Sequence, residues 1–144
     1  MPGGNRPYRV LVVEDSPTDA RLIEEALSEH EVWHETVVLR DGEEALQYLQ
    51  HIGEHSRPDL IILDLNLPKR DGFGVLNEYR ASPVLSFVPI VILTSSDSPS
   101  DRRRAKSIGV YAFLQKPMTL EEFIALGPRF RAILQTDYVY PPND

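Results

Sequence analysis

Polar side chains that could take part in a reaction or bind a metal follow directly after apolar runs at several points of this sequence. A charged group at the end of a buried run contributes little to stability, because burying a charge is costly unless it is paired or binds a metal. Asp64 is the clearest case, since it follows four consecutive Leu and Ile residues, and Pro68 ends the run soon after. The side chains in such positions, in chain order, are Glu14, Asp15, Asp64, Thr94, Ser95 and Lys116.

Together these residue types suit the transfer of a phosphoryl group onto Asp64. Two or three carboxylates repel one another unless a cation lies among them, and Mg²⁺ prefers such hard oxygen ligands. A Thr hydroxyl and a Lys ammonium complement phosphoryl oxygens, and a carboxylate can act as the nucleophile. Taken singly, the same residues have ordinary alternatives: a helix cap for the acidic pair, a turn for Thr94-Ser95, and a surface position for Lys116.

The elements that must position these side chains alternate along the chain. Apolar, β-branched runs predict five strands, at 8–13, 32–39, 60–63, 88–93 and 111–114. A helical pattern follows each strand, and the last helix opens on a capping box formed by Thr119 and Glu122. This alternation with short loops predicts a parallel sheet with helices on both faces. Because parallel strands end at one edge, the polar side chains can share one cleft there.

Composition narrows the classes of protein to consider. A chain of 144 residues that is 42% hydrophobic predicts one domain with an ordinary core. It contains no cysteine, which excludes a disulfide framework and a Cys nucleophile and fits a cytoplasmic location. No apolar run reaches the roughly 18 residues that a membrane helix needs, so we expect no membrane contact. The net charge of −7 disfavours binding to nucleic acid.

The combination of motifs resembles the response-regulator receiver domains of two-component signalling. The matching marks are Glu14-Asp15 after the first strand, Leu-Asp-Leu-Asn-Leu-Pro at 63–68 with Asp-Gly at 71–72, Thr94-Ser95, and Lys116-Pro117. The resemblance covers residues 7–134 and leaves 135–144 as a C-terminal extension. It implies the doubly wound, flavodoxin-like (βα)5 receiver fold, of class α/β, with a five-stranded parallel sheet in the order 2-1-3-4-5.

The resemblance also implies a role for each site residue. Asp64 would accept a phosphoryl group from a phosphohistidine on a sensor histidine kinase. The Mg²⁺ ion would be held by Glu14, Asp15, Asp64 and the backbone carbonyl of Asn66. The phosphoryl-binding and switch positions correspond to Thr94, Ser95, Lys116 and Phe113. Phenylalanine has no hydroxyl, so switching at Phe113 would rest on packing alone; the alternative is that Phe113 is simply a core residue.

One branch of this family is especially similar: the small, single-domain regulators paired with phytochrome-type light-sensing kinases. The marks are the sequence at 63–72, the long stretch at 81–89 before the fourth strand, and Phe-Leu-Gln-Lys-Pro at 113–117. This similarity implies a bacteriophytochrome-type kinase as partner.

The apolar C-terminal region predicts an output through protein contact. No DNA-binding or enzymatic domain is evident after Lys116, so we expect a stand-alone regulator that is not itself an enzyme. The excess of apolar residues indicates an interaction surface, and we expect a homodimer through the last helix, the fifth strand and the extension. The alternative is that this region folds back on its own core. The candidate dimer contacts are Phe123, Ile124, Phe130, Tyr138 and Tyr140.

Two rival functions remain open from the sequence. A haloacid-dehalogenase-type phosphatase uses similar residues, but its nucleophile comes first in the chain and its acidic pair last, the reverse of the order here. A pseudo-receiver would be a dimeric scaffold without phosphorylation, which the presence of Asp64, Asp15, Thr94 and Lys116 disfavours.

Overall fold

The fold is a five-stranded parallel sheet covered by helices, as seen in a computed structural model that describes residues 6–136. The strands lie in the order β2-β1-β3-β4-β5, and every neighbouring pair is parallel. This confirms the predicted α/β receiver architecture and its 2-1-3-4-5 order. The strands are β1 (Tyr8–Val13), β2 (His34–Leu39), β3 (Leu60–Leu63), β4 (Ile90–Thr94) and β5 (Ala112–Gln115).

The helices begin at side chains that cap them. The hydroxyl or carboxylate of the residue before each of the first five α-helices accepts a hydrogen bond from a backbone N–H of the first turn. These caps explain why each helix starts so soon after a strand. The helices are α1 (Pro17–Glu29), α2 (Gly42–Leu49), α3 (Gly72–Ala81), α4 (Pro99–Ile108), α5 (Leu120–Ile124) and α6 (Gly127–Leu134), with a 3₁₀ turn at Glu54–Ser56.

The two central strands are buried on both faces, which explains their unbroken apolar sequence. All residues of β3 and β4 are buried. One face of the sheet packs against α2, α3 and α4, with Tyr79 among the largest buried side chains. The other face packs against α1, α5 and α6, with Ile23 and Leu27 of α1 at its centre.

The strand register brings the functional residues to one edge. Val13 pairs with Leu63, so the residues after β1 and β3 are neighbours. Backbone hydrogen bonds continue the ladder past the strand ends: Asp64 N–H donates to Val13 at 3.0 Å, and Lys116 N–H donates to Thr94 at 2.7 Å. The carboxyl ends of β1, β3, β4 and β5 therefore form a single edge of the sheet, as expected from the strand order.

Three predicted strand starts differ by one or two residues from the structure, and the fifth strand begins at Ala112 rather than at residue 111. The fourth strand begins at Ile90 rather than at residue 88, because Pro89 has no N–H to donate to the ladder. The second strand begins at His34 rather than at residue 32, because Val32 instead closes the turn after α1 by donating to the Leu27 carbonyl at 3.0 Å.

The predicted dimer contacts Phe123 and Phe130 are wrong. Their side chains are 3% and 0% exposed and pack in the chain's own core, between the sheet and α1. The chain turns between α5 and α6, and both rings lie in the core that these helices form with α1 and the sheet. Ile124 is half-buried, whereas Tyr138 and Tyr140 lie outside the described residues. A side chain with almost no exposed surface cannot contact a second copy.

Among residues 6–136, no helix is both long enough and apolar enough to cross a membrane.

Candidate functional site

Three carboxylates meet at the carboxyl edge of the sheet. Glu14 and Asp15 follow β1, and Asp64 follows β3. One oxygen of each lies within 4.8 Å of the others. Glu14 and Asp64 are only 2% and 3% exposed, whereas Asp15 is exposed. This is a cluster of hard oxygen ligands with one side open to solvent.

Lys116 inserts its ammonium into this cluster from the β5–α5 connection. Its Nζ lies 2.8 Å from Oε1 of Glu14 and 2.9 Å from Oδ2 of Asp64. A third carboxylate, Asp19 in the first turn of α1, lies at 2.8 Å through its Oδ2. The lysine side chain is 14% exposed. The ammonium has three N–H groups, and three carboxylates accept from it.

Burial and ion pairing shift the pKa values of both Glu14 and Lys116, which contact each other. Burial raises the pKa of Glu14 to about 7, against the lowering effects of Lys116 and of the Ser16 N–H, which donates to Oε2 at 3.1 Å. Burial alone lowers the pKa of Lys116, but its hydrogen bonds to Asp19, Glu14 and Asp64 outweigh this and raise the pKa above its ordinary value. The hydrogen bonds therefore favour the charged form of Lys116, whereas burial disfavours the charged form of Glu14.

Asp64 is oriented by hydrogen bonds to both of its oxygens. Its Oδ1 accepts from the backbone N–H of Asn66 at 3.0 Å, while Oδ2 faces Lys116. The Thr94 hydroxyl is fully buried and lies 3.4 Å from both the Asn66 side-chain amide and the Ser96 N–H. Both contacts are long, so the hydroxyl is only weakly held and can turn towards a new acceptor.

A close backbone contact fixes the loop after Asp64. Gly72 opens α3 and donates its N–H to the Leu65 carbonyl at 3.0 Å. A Cβ at Gly72 would lie 2.7 Å from the Asp64 carbonyl oxygen and closer still to the Leu65 Cα. Only glycine allows this approach, so the Asp71-Gly72 motif holds the loop after Asp64 against the start of α3.

Phe113 is buried beside α4. It is 5% exposed, and the Arg102 guanidinium lies over its ring, with Cζ 4.7 Å from the ring centroid. Arg102 also donates through Nη1 to the Phe113 carbonyl at 3.0 Å. The ring thus packs as a core residue would, with a cation as its outer cover.

The structure brings the predicted residues Glu14, Asp15, Asp64 and Lys116 together, and it places Thr94 and Asn66 next to them. Ser95 is exposed at the end of β4. Sequence reasoning missed Asp19, whose carboxylate contacts Lys116 at 2.8 Å. The available signal was its spacing: Asp19 comes one helical turn after Asp15, on the turn that faces the cluster.

The donor set fits a divalent cation. Glu14, Asp15 and Asp64 supply carboxylate oxygens that lie within 4.8 Å of one another. Oxygen-only ligands with an open side favour a small hard cation such as Mg²⁺.

Comparisons with known proteins agree with this geometry. Residues 10–126 match the response regulator receiver domain family. Response regulator Rcp1 of Synechocystis sp. is 41% identical over 125 residues, which cover 85% of each chain. The probable methanogenesis regulatory protein FilR2 of Methanothrix harundinacea is 41% identical over 118 residues, covering 81% of this chain and 76% of its own.

Two solved structures are similar throughout. The phosphorylated cyanobacterial phytochrome response regulator RcpA has a TM-score of 0.84 and 38% identity, covering 93% of this chain and 99% of its own. The Mn²⁺-bound form of Rcp1 has a TM-score of 0.81 and 38% identity, covering 95% of this chain and 100% of its own. The fold, the acidic edge and these similarities have one explanation: the chain belongs to the response regulator receiver domain family of two-component signalling.

Proposed function

We propose that this chain is a cytoplasmic response regulator that accepts a phosphoryl group on Asp64 from a phosphohistidine of a sensor histidine kinase. The observation that carries the proposal is the buried Asp64 carboxylate, 3% exposed, with carboxylate oxygens of Glu14 and Asp15 within 4.8 Å and the Lys116 ammonium 2.9 Å away. A nucleophile, a cation site and a phosphate-binding cation are thus in contact.

In the proposed transfer, one bond to phosphorus forms while another breaks. An oxygen of Asp64 forms a bond to phosphorus as the bond between phosphorus and the histidine nitrogen breaks. The electron pair of that bond stays with the imidazole, which leaves as a neutral base because its other ring nitrogen carries a proton. The product is an acyl phosphate on Asp64. A carboxylate oxygen can attack phosphorus directly as the nucleophile.

The neighbouring side chains stabilise the transferred group. Lys116 donates to Asp64 already, so it can donate to a phosphoryl oxygen with a small movement. The weakly held Thr94 hydroxyl can donate to a second oxygen. Glu14, Asp15, Asp64 and the Asn66 carbonyl would hold Mg²⁺, which supplies positive charge to the phosphoryl oxygens when bound.

The direct test is phosphorylation by a small donor. The protein is incubated with Mg²⁺ and acetyl phosphate, and the intact mass is measured. We expect one added phosphoryl group in the parent and in Asp97→Asn, which removes an exposed carboxylate after β4, and none in Asp64→Asn. Labelling that persists in Asp64→Asn, or no labelling and no beryllofluoride binding in the parent, would reject the proposal in favour of a scaffold. Sustained hydrolysis of a phosphate ester would favour the phosphatase alternative.

We further propose a bacteriophytochrome-type kinase as the donor. The support is the similarity to RcpA, which is named as a phytochrome response regulator. An autophosphorylated bacteriophytochrome kinase with labelled phosphate should lose its label to this chain faster than an unrelated sensor kinase does. Equal rates from both kinases would contradict this pairing.

The output proposed here is contact with other proteins, including a second copy of this chain. Sedimentation of the protein with and without Mg²⁺ and beryllofluoride measures whether it self-associates and whether the modification changes that association. A monomer in both conditions would reject the homodimer.

A further inference from the structure

Asp19 lies outside the carboxylate cluster but contacts its cation. It is the third residue of α1, and its N–H donates to the Ser16 hydroxyl at 3.2 Å. Its carboxylate is 25% exposed and accepts from Lys116 at 2.8 Å. The helix that carries it is fixed to the sheet by the buried residues Ile23 and Leu27. Asp19 therefore offers Lys116 a rigid attachment point.

The three carboxylates around Lys116 are not equivalent. Glu14 and Asp64 belong, with Asp15, to the group whose oxygens lie within 4.8 Å of one another, and Asp19 does not. A divalent cation among those three would compete with Lys116 for the oxygens of Glu14 and Asp64. The bond between Lys116 and Asp19 is free of that competition, so it remains when the other two weaken.

We propose that Asp19 is a positioning residue that holds Lys116 beside the phosphoacceptor. It anchors one N–H of the ammonium to α1 and leaves the other two for Asp64 or for phosphoryl oxygens. By drawing the ammonium towards α1, it also leaves Glu14 and Asp64 more available to a cation. This inference rests on the proposed phosphoryl acceptor function and names a residue that regulates it.

Loss of the Asp19 carboxylate has a defined consequence. In Asp19→Asn the ammonium pairs more fully with Glu14 and Asp64 and competes more strongly with a cation. One hydrogen bond to a charged group corresponds to about a ten-fold change in an equilibrium constant. We therefore expect Mn²⁺ and beryllofluoride binding to weaken about ten-fold. Glu25→Gln, at an exposed acid of the same helix, removes the same charge and is expected to change binding less than about two-fold.

A double-mutant cycle separates positioning from long-range charge. The dissociation constant for Mn²⁺ is measured for the parent, Asp19→Asn, Lys116→Met and the double variant. If Asp19 acts through Lys116, its substitution has a much smaller effect in the Lys116→Met background. An equal loss in both backgrounds overturns the proposal, because only through-space attraction would then connect Asp19 to the cation.

A second readout does not require Lys116→Met to fold. Proton–nitrogen spectra of lysine ammonium groups report how firmly Lys116 is held. We expect the parent's signal unchanged in Glu25→Gln, and a signal with a shifted frequency and faster solvent exchange in Asp19→Asn, because one of its three hydrogen bonds is lost. A signal in Asp19→Asn with the frequency and exchange rate of the parent overturns the proposal. If the parent itself binds neither Mn²⁺ nor beryllofluoride, the acceptor function fails; if only the Asp19 effect is missing, the positioning role alone fails.

Discussion

The guanidinium of Arg102 covers the ring of Phe113 and donates to the carbonyl of the same residue, with Cζ 4.7 Å from the ring centroid and Nη1 3.0 Å from the oxygen. These two contacts join α4 to β5, three residues before the lysine of the site. An aromatic side chain without a hydroxyl is thereby held inward by a cation. Outward movement of the Phe113 ring requires the Arg102 side chain to move as well.

Replacing Arg102 should loosen this connection. Arg102→Ala removes a cation–π contact and one hydrogen bond at an exposed side chain, which predicts a loss of about 1 kcal/mol in the free energy of unfolding. Amide exchange in β5 should accelerate. Arg103→Ala removes the same charge from the next position of α4 and serves as the control. Equal exchange rates in β5 for the two variants would mean that the contact with Phe113 contributes nothing.

The close backbone contact at Gly72 predicts that alanine lowers stability there but not at Gly74. Gly72→Ala places a Cβ against the backbone of Asp64 and Leu65, so the loop after Asp64 must shift. We expect a loss of roughly 2–4 kcal/mol, as for other overpacked sites, and weaker binding of Mn²⁺.

Gly74→Ala is the matched control on the same helix. No atom lies within 4 Å of the Cβ position, and alanine is the better helix former, so stability should rise by about 0.5–1 kcal/mol. Urea denaturation measures both changes. A Gly72→Ala protein as stable as the parent would show that the loop is not fixed by this contact.

Lys116→Ala should make stability depend on divalent cations. The substitution leaves Glu14 and Asp64 buried beside Asp15 without the ammonium, which costs about 3 kcal/mol in the absence of metal. Added Mg²⁺ should then stabilise the variant more than the parent, because the cation replaces the missing charge.

The measurement is the melting temperature over a series of Mg²⁺ concentrations. Lys69→Ala, at an exposed lysine, should respond like the parent. If Lys116→Ala responds no more strongly than these two, the ammonium and the metal do not share the same carboxylates.

The buried Tyr79 predicts how the stability of the protein changes at alkaline pH. Its hydroxyl is fully buried and donates to the Ala45 carbonyl at 2.8 Å, and burial raises the pKa of Tyr79 far above its ordinary value. Above about pH 10 the unfolded chain loses this proton while the folded chain keeps it, so stability falls as pH rises.

Tyr79→Phe should cost about 1 kcal/mol at neutral pH, from the lost hydrogen bond. The same variant should lose less stability than the parent between neutral and alkaline pH. Tyr111→Phe, at an exposed ring, should leave that slope unchanged. A slope in Tyr79→Phe identical to that of the parent would contradict the assignment.

Apolar patterning is enough to predict the strands of the sheet and to bring most of the candidate site residues to one edge. Unbroken apolar runs such as 60–63 predict strands buried on both faces, and alternation with helices makes the strands parallel. Parallel strands end at one edge, so the residues after those runs had to meet. This is why Asp64, Glu14 and Lys116 could be placed together from patterning alone: the positions follow from topology and not from side-chain detail.

Only the tertiary structure decided which partners those residues take. The contact between Asp19 and Lys116 joins residues 97 positions apart, and no local pattern encodes the angle at which α1 meets the β5–α5 connection. The same limit explains why Phe123 and Phe130 were wrongly predicted as dimer contacts. Periodicity shows that a helix has an apolar face, but whether that face covers the chain's own sheet or a partner depends on how the chain turns between α5 and α6.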